Sequence, residues 1–173
     1  MMSNDRGEGE PGALTADGTA PADVRLQAWR TMRDLTTAIL GVLDAVLERL
    51  VSISVREYQA LLLLAAAPPM GIRMADLAER IVLSRSAITA LADRMERDEL
   101  IVRTPDLVDR RGTLVSLTES GRRRFTAAMA VHDEMIADLF ASRVSQAEAS
   151  LLLPVLTRIA EGARAARPSA GNS

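Results

Sequence analysis

The chain contains no cysteine. That absence removes disulfides, thiolate metal sites and thiol-based redox sensing together. It also contains no lysine: all 21 basic residues are arginine. Aromatics are scarce, with one Trp, one Tyr and two Phe, and there is a single histidine, His132. One His and no Cys make a poor ligand set for a transition metal, and the neighbours Asp133 and Glu134 point in other directions on a helix. No metal or other cofactor is therefore expected. The longest uninterrupted apolar run, residues 60–70, includes two prolines. A membrane span needs roughly 18 apolar residues or more, so no membrane partner is expected. The opening residues, MMSNDRGEGE, lack a basic stretch followed by an apolar one, so no secretory leader is expected and a cytoplasmic setting is. No Gly-rich phosphate loop or nucleophile elbow is present, so an enzyme is not expected.

What remains is ordinary in bulk: 173 residues, 48% hydrophobic and 25% charged, enough for one domain with a real core. The net charge of −2 argues against a broadly basic nucleic-acid binder. Its distribution is uneven, however. Residues 71–124 hold eleven Arg against nine acids, while residues 1–24 hold one Arg against five. Phosphate contact depends on where arginines cluster, not on the whole-chain sum.

Residues 1–21 and 168–173 are small, polar and Gly/Pro-rich, and are expected to be disordered tails. Between them the apolar period is mostly helical. Leu26, Trp29, Met32, Thr36, Ile39, Leu43, Val46, Leu47 and Leu50 form one stripe on a long helix. A second helix runs from about Val55 to Ala67 and stops at Pro68-Pro69. Its Leu61–Leu64 block, apolar on all sides, marks it as central and buried. A short helix over Met74 to Ile81 is followed by one starting after Ser84, a plausible N-cap, and ending near Glu99; Ile88, Leu91 and Met95 give its inner face. The period then shortens. Residues 100–103 and 113–117 read as two strands of a hairpin with a long tip. A long helix follows over about 119–141. Ser145-Gln146-Ala147-Glu148 opens a last one as a capping box, with Pro154 inside it expected to kink it or to cost about 3 kcal/mol.

Two helices crossing at a short turn and followed by a hairpin make a winged helix, and the fold class is mainly α (α+β). The second helix of the pair exposes Arg85, Ser86, Thr89, Ala90, Asp93 and Arg94. Short polar side chains at its start suit base edges and phosphates in a major groove, and its free backbone N–H groups suit a phosphate. The plainer reading is a solvated helix face. The hairpin tip favours the former. Arg110 and Arg111, two guanidiniums beside Gly112 on a protruding loop, serve no folding need but suit a narrow minor groove. Asp93 and Glu96 read as surface ion pairs with Arg94 and Arg97. Arg122 to Arg124 are candidates for phosphate contact or simple solvation.

Residues 25–166 resemble the MarR family of transcriptional regulators. The resemblance is carried by LAERIVLSRSAIT across the helix pair and by DRRGTLVSLTESG, Asp109 to Gly121, across the wing into the next helix. It implies a DNA-binding lobe over about 53–118 and dimerisation helices over about 22–50 and 119–167. It also implies a homodimer on double-stranded DNA with a palindromic operator, acting as a repressor. In the family the wing Asp, here Asp109, helps hold the wing by a salt bridge, and Arg111 enters the minor groove. The DNA-contacting set expected is Arg73, Ser84, Arg85, Ser86, Thr89, Arg94, Asp109, Arg110 and Arg111. Family ligands are small aromatic or phenolic acids held between the dimerisation helices and the DNA lobe. Trp29, Met32, Arg33, Tyr58 and Leu62 would line such a cavity, against the plain reading of these residues as core and dimer packing. A rival reading is a protein-interaction module using the same surface without DNA, which the net charge of −2 keeps open.

Three departures from the family stand out. Glu99 occupies a position where the family often has Gly; a left-handed helix end there would cost about 1 kcal/mol or more. Leu107-Val108 replaces polar residues at the wing tip. Pro154 interrupts a helix that usually runs unbroken.

Overall fold

A computed structural model describes residues 23–106, 109 and 112–166. They fall into two units, the first ending at Ile39 and the second beginning at Leu40. The expected tails and Leu107, Val108, Arg110 and Arg111 of the wing tip lie outside the described residues.

The first helix, α1 (Val24–Val51), begins where the Asp23 carboxylate accepts the backbone N–H of Arg25 at 2.9 Å. The Arg25 guanidinium, then its N–H, hold that carboxyl below its ordinary pKa. In the first unit Val24, Leu26, Trp29 and Leu35 are all exposed.

In the second unit α1 contributes Leu43 and Leu47 to the core. The turn to α2 (Val55–Ala65) is built by a capping box. Ser54 accepts from the Glu57 N–H, and the Glu57 carboxylate accepts from the Ser54 N–H at 2.7 Å. Asp44 accepts the next N–H, that of Val55, also at 2.7 Å. α2 buries Val55, Tyr58, Ala60, Leu61 and Leu64. Leu62, within the block read as buried all round, is exposed instead. At 100° per residue no single surface of α2 can hide four consecutive side chains, and this one has only one covered face.

Helices α3 (Met74–Ile81) and α4 (Arg85–Arg97) form the crossing pair. Leu77, Ile81, Ile88, Leu91 and Met95 are buried between them and α2. Both helices end in the same way. After α3, Leu83 N–H reaches back to Ala78 and Val82 N–H to Glu79; after α4, Leu100 N–H reaches Met95 and Glu99 N–H reaches Glu96. This double bond closes a helix only if the residue in between is left-handed. Val82 has φ 62° and Glu99 has φ 56°. The position flagged in the sequence is thus left-handed as feared, and the turn of the helix pair carries a β-branched residue in the same strained state. Glu99→Gly is expected to stabilise the fold by roughly 0.5–1 kcal/mol, relief of the left-handed Cβ penalty being partly offset by a freer unfolded chain. Urea unfolding measures it, and an unchanged or lower midpoint would contradict it.

The hairpin strands are β2 (Ile101–Pro105) and β3 (Thr113–Leu117), paired antiparallel from Ile101 opposite Leu117 to Pro105 opposite Thr113. The sheet has a third strand that the sequence did not suggest. β1 (Ile72–Arg73) pairs with the other edge of β3, Ile72 opposite Val115, giving the order β1-β3-β2. Val115, central in this sheet, is fully buried.

From Thr118 the chain enters α5 (Glu119–Leu139), then a single 3-10 turn (Ala141–Arg143), then α6 (Gln146–Ala165) behind the expected Ser145–Glu148 capping box. α6 continues through Pro154 as one helix and has no buried residue.

Candidate nucleic-acid interface

The start of α4 is an exposed polar surface. Ser84 caps it, accepting the Ala87 N–H at 3.2 Å, and its hydroxyl lies 3.1 Å from that of Ser86. Thr89 donates its hydroxyl to the Arg85 carbonyl one turn back, at 2.9 Å. Together with Ala90 and Asp93 these residues line an open hollow of about 730 Å³. Four of the sequence-selected residues, Ser84, Arg85, Ser86 and Thr89, are therefore brought to one face. Arg85 has no carboxylate partner among the described residues. The lone acid of that face, Asp93, is held by Arg103 of β2 at 2.6 Å.

That pairing corrects the sequence reading. Asp93 and Glu96 do not pair along their own helix with Arg94 and Arg97. Both turn to Arg103, whose backbone N–H also donates to Glu96 at 3.2 Å. The strand is thereby tied to α4. Arg94 instead meets Glu57 of α2 at 2.6 Å, and Arg97 donates to the Asp93 carbonyl. Helix neighbours three and four apart gain only about 0.2–0.5 kcal/mol, so better-buried partners from other elements displace them.

The wing is braced at its base. Asp106, only 6% exposed, takes Arg73 at 2.8 Å, and Asp109 lies 3.6 Å from the same guanidinium. Asp106 also accepts the Asp109 N–H. Backbone bonds from Asp106 to Gly112 and from Gly112 to Asp109 close the loop. Asp109 does make the expected salt bridge, but Asp106, missed in the sequence, is the nearer and more buried partner. Its only signal is a carboxylate directly after Pro105, where an Asp side chain commonly bonds the backbone of a turn. Arg73 is placed by β1, which can approach β3 because Gly71 has φ 90° and no Cβ; one there would lie 2.2 Å from the Val115 carbonyl oxygen. Arg73 therefore serves the wing from within. Arg110 and Arg111 fall outside the described residues.

The remaining candidates belong to both units and are described unit by unit. Trp29 and Arg33 are exposed on the first unit, Met32 is half-buried, and Arg33 bonds Asp34. On the second unit Leu62 is exposed, while Tyr58 is buried against His132 (4.8 Å between centroids, 22° between planes) and Phe125 (6.1 Å). Burial, and secondarily the Asp133 charge, push the Tyr58 hydroxyl above its ordinary pKa, so it stays neutral. This stack is the core-packing reading of Tyr58. His132 Nδ1 lies 3.0 Å from the Asp133 carboxylate, so Asp133 does turn to it, contrary to the expectation that this neighbour points elsewhere. Arg123 and Arg124 flank a cleft of about 430 Å³ with Leu50, Ser52 and Ser120, and Arg124 donates to the Val51 carbonyl at 2.6 Å, so it closes the end of α1.

Two crossing helices, an exposed polar second helix and a braced hairpin define a winged helix-turn-helix protein. Comparison agrees. Residues 51–112 match the model of the MarR family. AbsC, a MarR family transcriptional regulator from Streptomyces coelicolor, superposes with a TM-score of 0.76 at 26% identity, covering 85% of this chain and 99% of that one. MepR of S. aureus, solved as a DNA complex, gives 0.68 at 26% identity over 77% and 96%. The transcriptional activatory protein BadR of Rhodopseudomonas palustris is 46% identical over 52 residues, 30% of each chain, so this chain matches under a third of that curated relative's length. The family model thus covers the crossing helix pair and the first hairpin strand, and the fold over most of the chain is similar to that of MarR family transcriptional regulators.

Proposed function

We propose that the chain is a sequence-specific DNA-binding regulator of transcription that works as a homodimer. The α4 face enters the major groove. The wing, with Arg110 and Arg111 between the braced Asp109 and Gly112, reaches the adjacent minor groove. The observation that carries this is the α4 face itself: hydroxyls of Ser84, Ser86 and Thr89 beside an Arg85 without a carboxylate partner among the described residues, with the one acid there neutralised from behind. A protein-binding face would be expected to offer large apolar anchors; this one offers only Ala90. Among the described residues no helix is long and apolar enough to cross a membrane.

Dimerisation supplies the second reading helix. Two α4 faces about 34–36 Å apart would meet successive major grooves, and hence a palindromic site. Such a dimer represses where its site overlaps a promoter. The test is a gel shift on the duplex upstream of the chain's own gene at physiological salt. Wild type should shift it, and Arg85→Ala should bind roughly tenfold more weakly, about 1.4 kcal/mol, with a shallower salt dependence. Absence of any shift, with the protein dimeric, would overturn the DNA reading in favour of a protein partner.

A further inference from the structure

Glu57 is one of two charged side chains buried among the described residues, at 4% exposure. A buried carboxylate is costly unless every oxygen is satisfied. Here both are, by different elements. Oε2 accepts from the Ser54 N–H at 2.7 Å and lies 2.9 Å from the Ser54 hydroxyl, closing the α2 cap. Oε1 accepts from Nε of Arg94, 37 residues away on α4, at 2.6 Å. The cap needs only one oxygen, and a glutamine would serve it equally. The second oxygen and the charge are spent on Arg94.

Arg94 is itself half exposed and stands one turn beyond Ala90, a residue of the open α4 face. Nε is the inner end of its guanidinium. The four N–H groups of the outer nitrogens have no acceptor among the described residues. A long arginine on a free helix surface loses rotamer entropy when it grips a phosphate; one already clamped at Nε has lost it on folding.

We infer that Glu57 is a positioning residue for DNA binding: it holds Arg94 by Nε so that the outer guanidinium edge meets a backbone phosphate flanking the major groove. This rests on the DNA-binding reading above and extends it to a contact that is sequence-independent and braced from α2.

The test uses the full-length dimer and the upstream duplex, with affinity measured over a salt series. Glu57→Gln keeps the cap but sets an amide N–H₂ against Arg94 Nε–H, donor against donor. Arg94→Ala removes the contact outright. Arg94→Ala should lose roughly tenfold in affinity, and its slope of log K against log salt should become shallower by about one. Glu57→Gln should move the same way, and adding it to Arg94→Ala should cost nothing more, because Glu57 acts only through Arg94. A wild-type salt slope in Arg94→Ala would overturn the inference even if Glu57→Gln fails to fold. Strictly additive losses would overturn it too, since Glu57 would then be supporting the fold alone. A wild type that shifts no duplex overturns the DNA-binding reading instead, so the two failures are distinguishable.

Discussion

Replacing Gly121 with alanine is expected to destabilise the protein by about 3 kcal/mol or more, lowering the melting temperature by roughly 6–12 °C. The first turn of α5 lies directly on the residues that end α4, Glu99 and Leu100. Thr118 caps α5 by accepting the Gly121 N–H at 2.9 Å, while its own hydroxyl and N–H donate to the Glu99 and Leu100 carbonyls at 2.5 and 3.1 Å. A Cβ on Gly121 would fall 1.9 Å from the Leu100 carbonyl oxygen. The obstacle is backbone, not the tip of a flexible side chain, so the clash is relieved only by moving α5 off the α4–β2 junction. That motion breaks both Thr118 bonds and uncovers Leu100 and Leu117, which are buried. Thermal and urea unfolding with matched far-UV circular dichroism would measure it. A variant melting within about 1 °C of wild type would show that α5 is not seated as described. The same reasoning explains why the stretch Thr118-Glu119-Ser120-Gly121 reads as it does: a cap residue, an exposed Glu119 and a half-buried Ser120, and a residue without a side chain at the point of contact.

Most helices were legible because their information is local. Ser84 and the Ser145–Glu148 box are side-chain-to-backbone bonds within one turn, and the Ile88, Leu91, Met95 spacing follows from 3.6 residues per turn. Glu99 was legible for the same reason: a helix that must close on a buried Leu100 needs a left-handed residue before it, whatever that residue is. What escaped was made by distant pairing. β1 is two residues long and exists only because β3 lies beside it; no periodicity can be read from two residues. Arg103 and Glu57 outcompete the i,i+4 partners of Asp93 and Arg94 because they are fixed in place by a strand and by a cap, so the pair costs less side-chain entropy. Leu62 was misread because a run of four leucines has no period of its own to show which side is covered. Of the set expected to contact DNA, Ser84, Arg85, Ser86 and Thr89 of α4 converge on one face as spacing suggested, while Arg94 turns to Glu57. Arg73 does not join them, because an arginine on an edge strand beside two wing carboxylates is drawn into the wing.

Aspartate at both Leu152 and Ile159 is expected to convert the protein to a species sedimenting at the monomer mass of 18.6 kDa and to weaken binding to the full operator by about 100-fold or more. α6 has no buried residue, yet Leu151 and Leu153 are 73% and 67% exposed, and Leu152, Val155, Leu156 and Ile159 are exposed as well. An exposed apolar surface of this kind marks a site of contact with another surface of matching shape. A second copy of the same helix is the self-complementary solution that a two-fold axis provides. Leu152 and Ile159 are seven residues apart, two turns along one stripe, so two aspartates would set like charges against each other across the axis. Neither residue belongs to the core of the α2–α5 lobe, and circular dichroism should therefore show an intact helical fold. For the homodimer proposed above, the DNA effect would follow from linkage: two half-sites joined through one dimer bind with the effective concentration of the second arm, which a monomer forfeits while keeping its own α4 and wing. A double variant that still sediments as a dimer would remove α6 from the interface. One that becomes monomeric yet binds the palindrome with undiminished affinity would show that the two reading heads act independently.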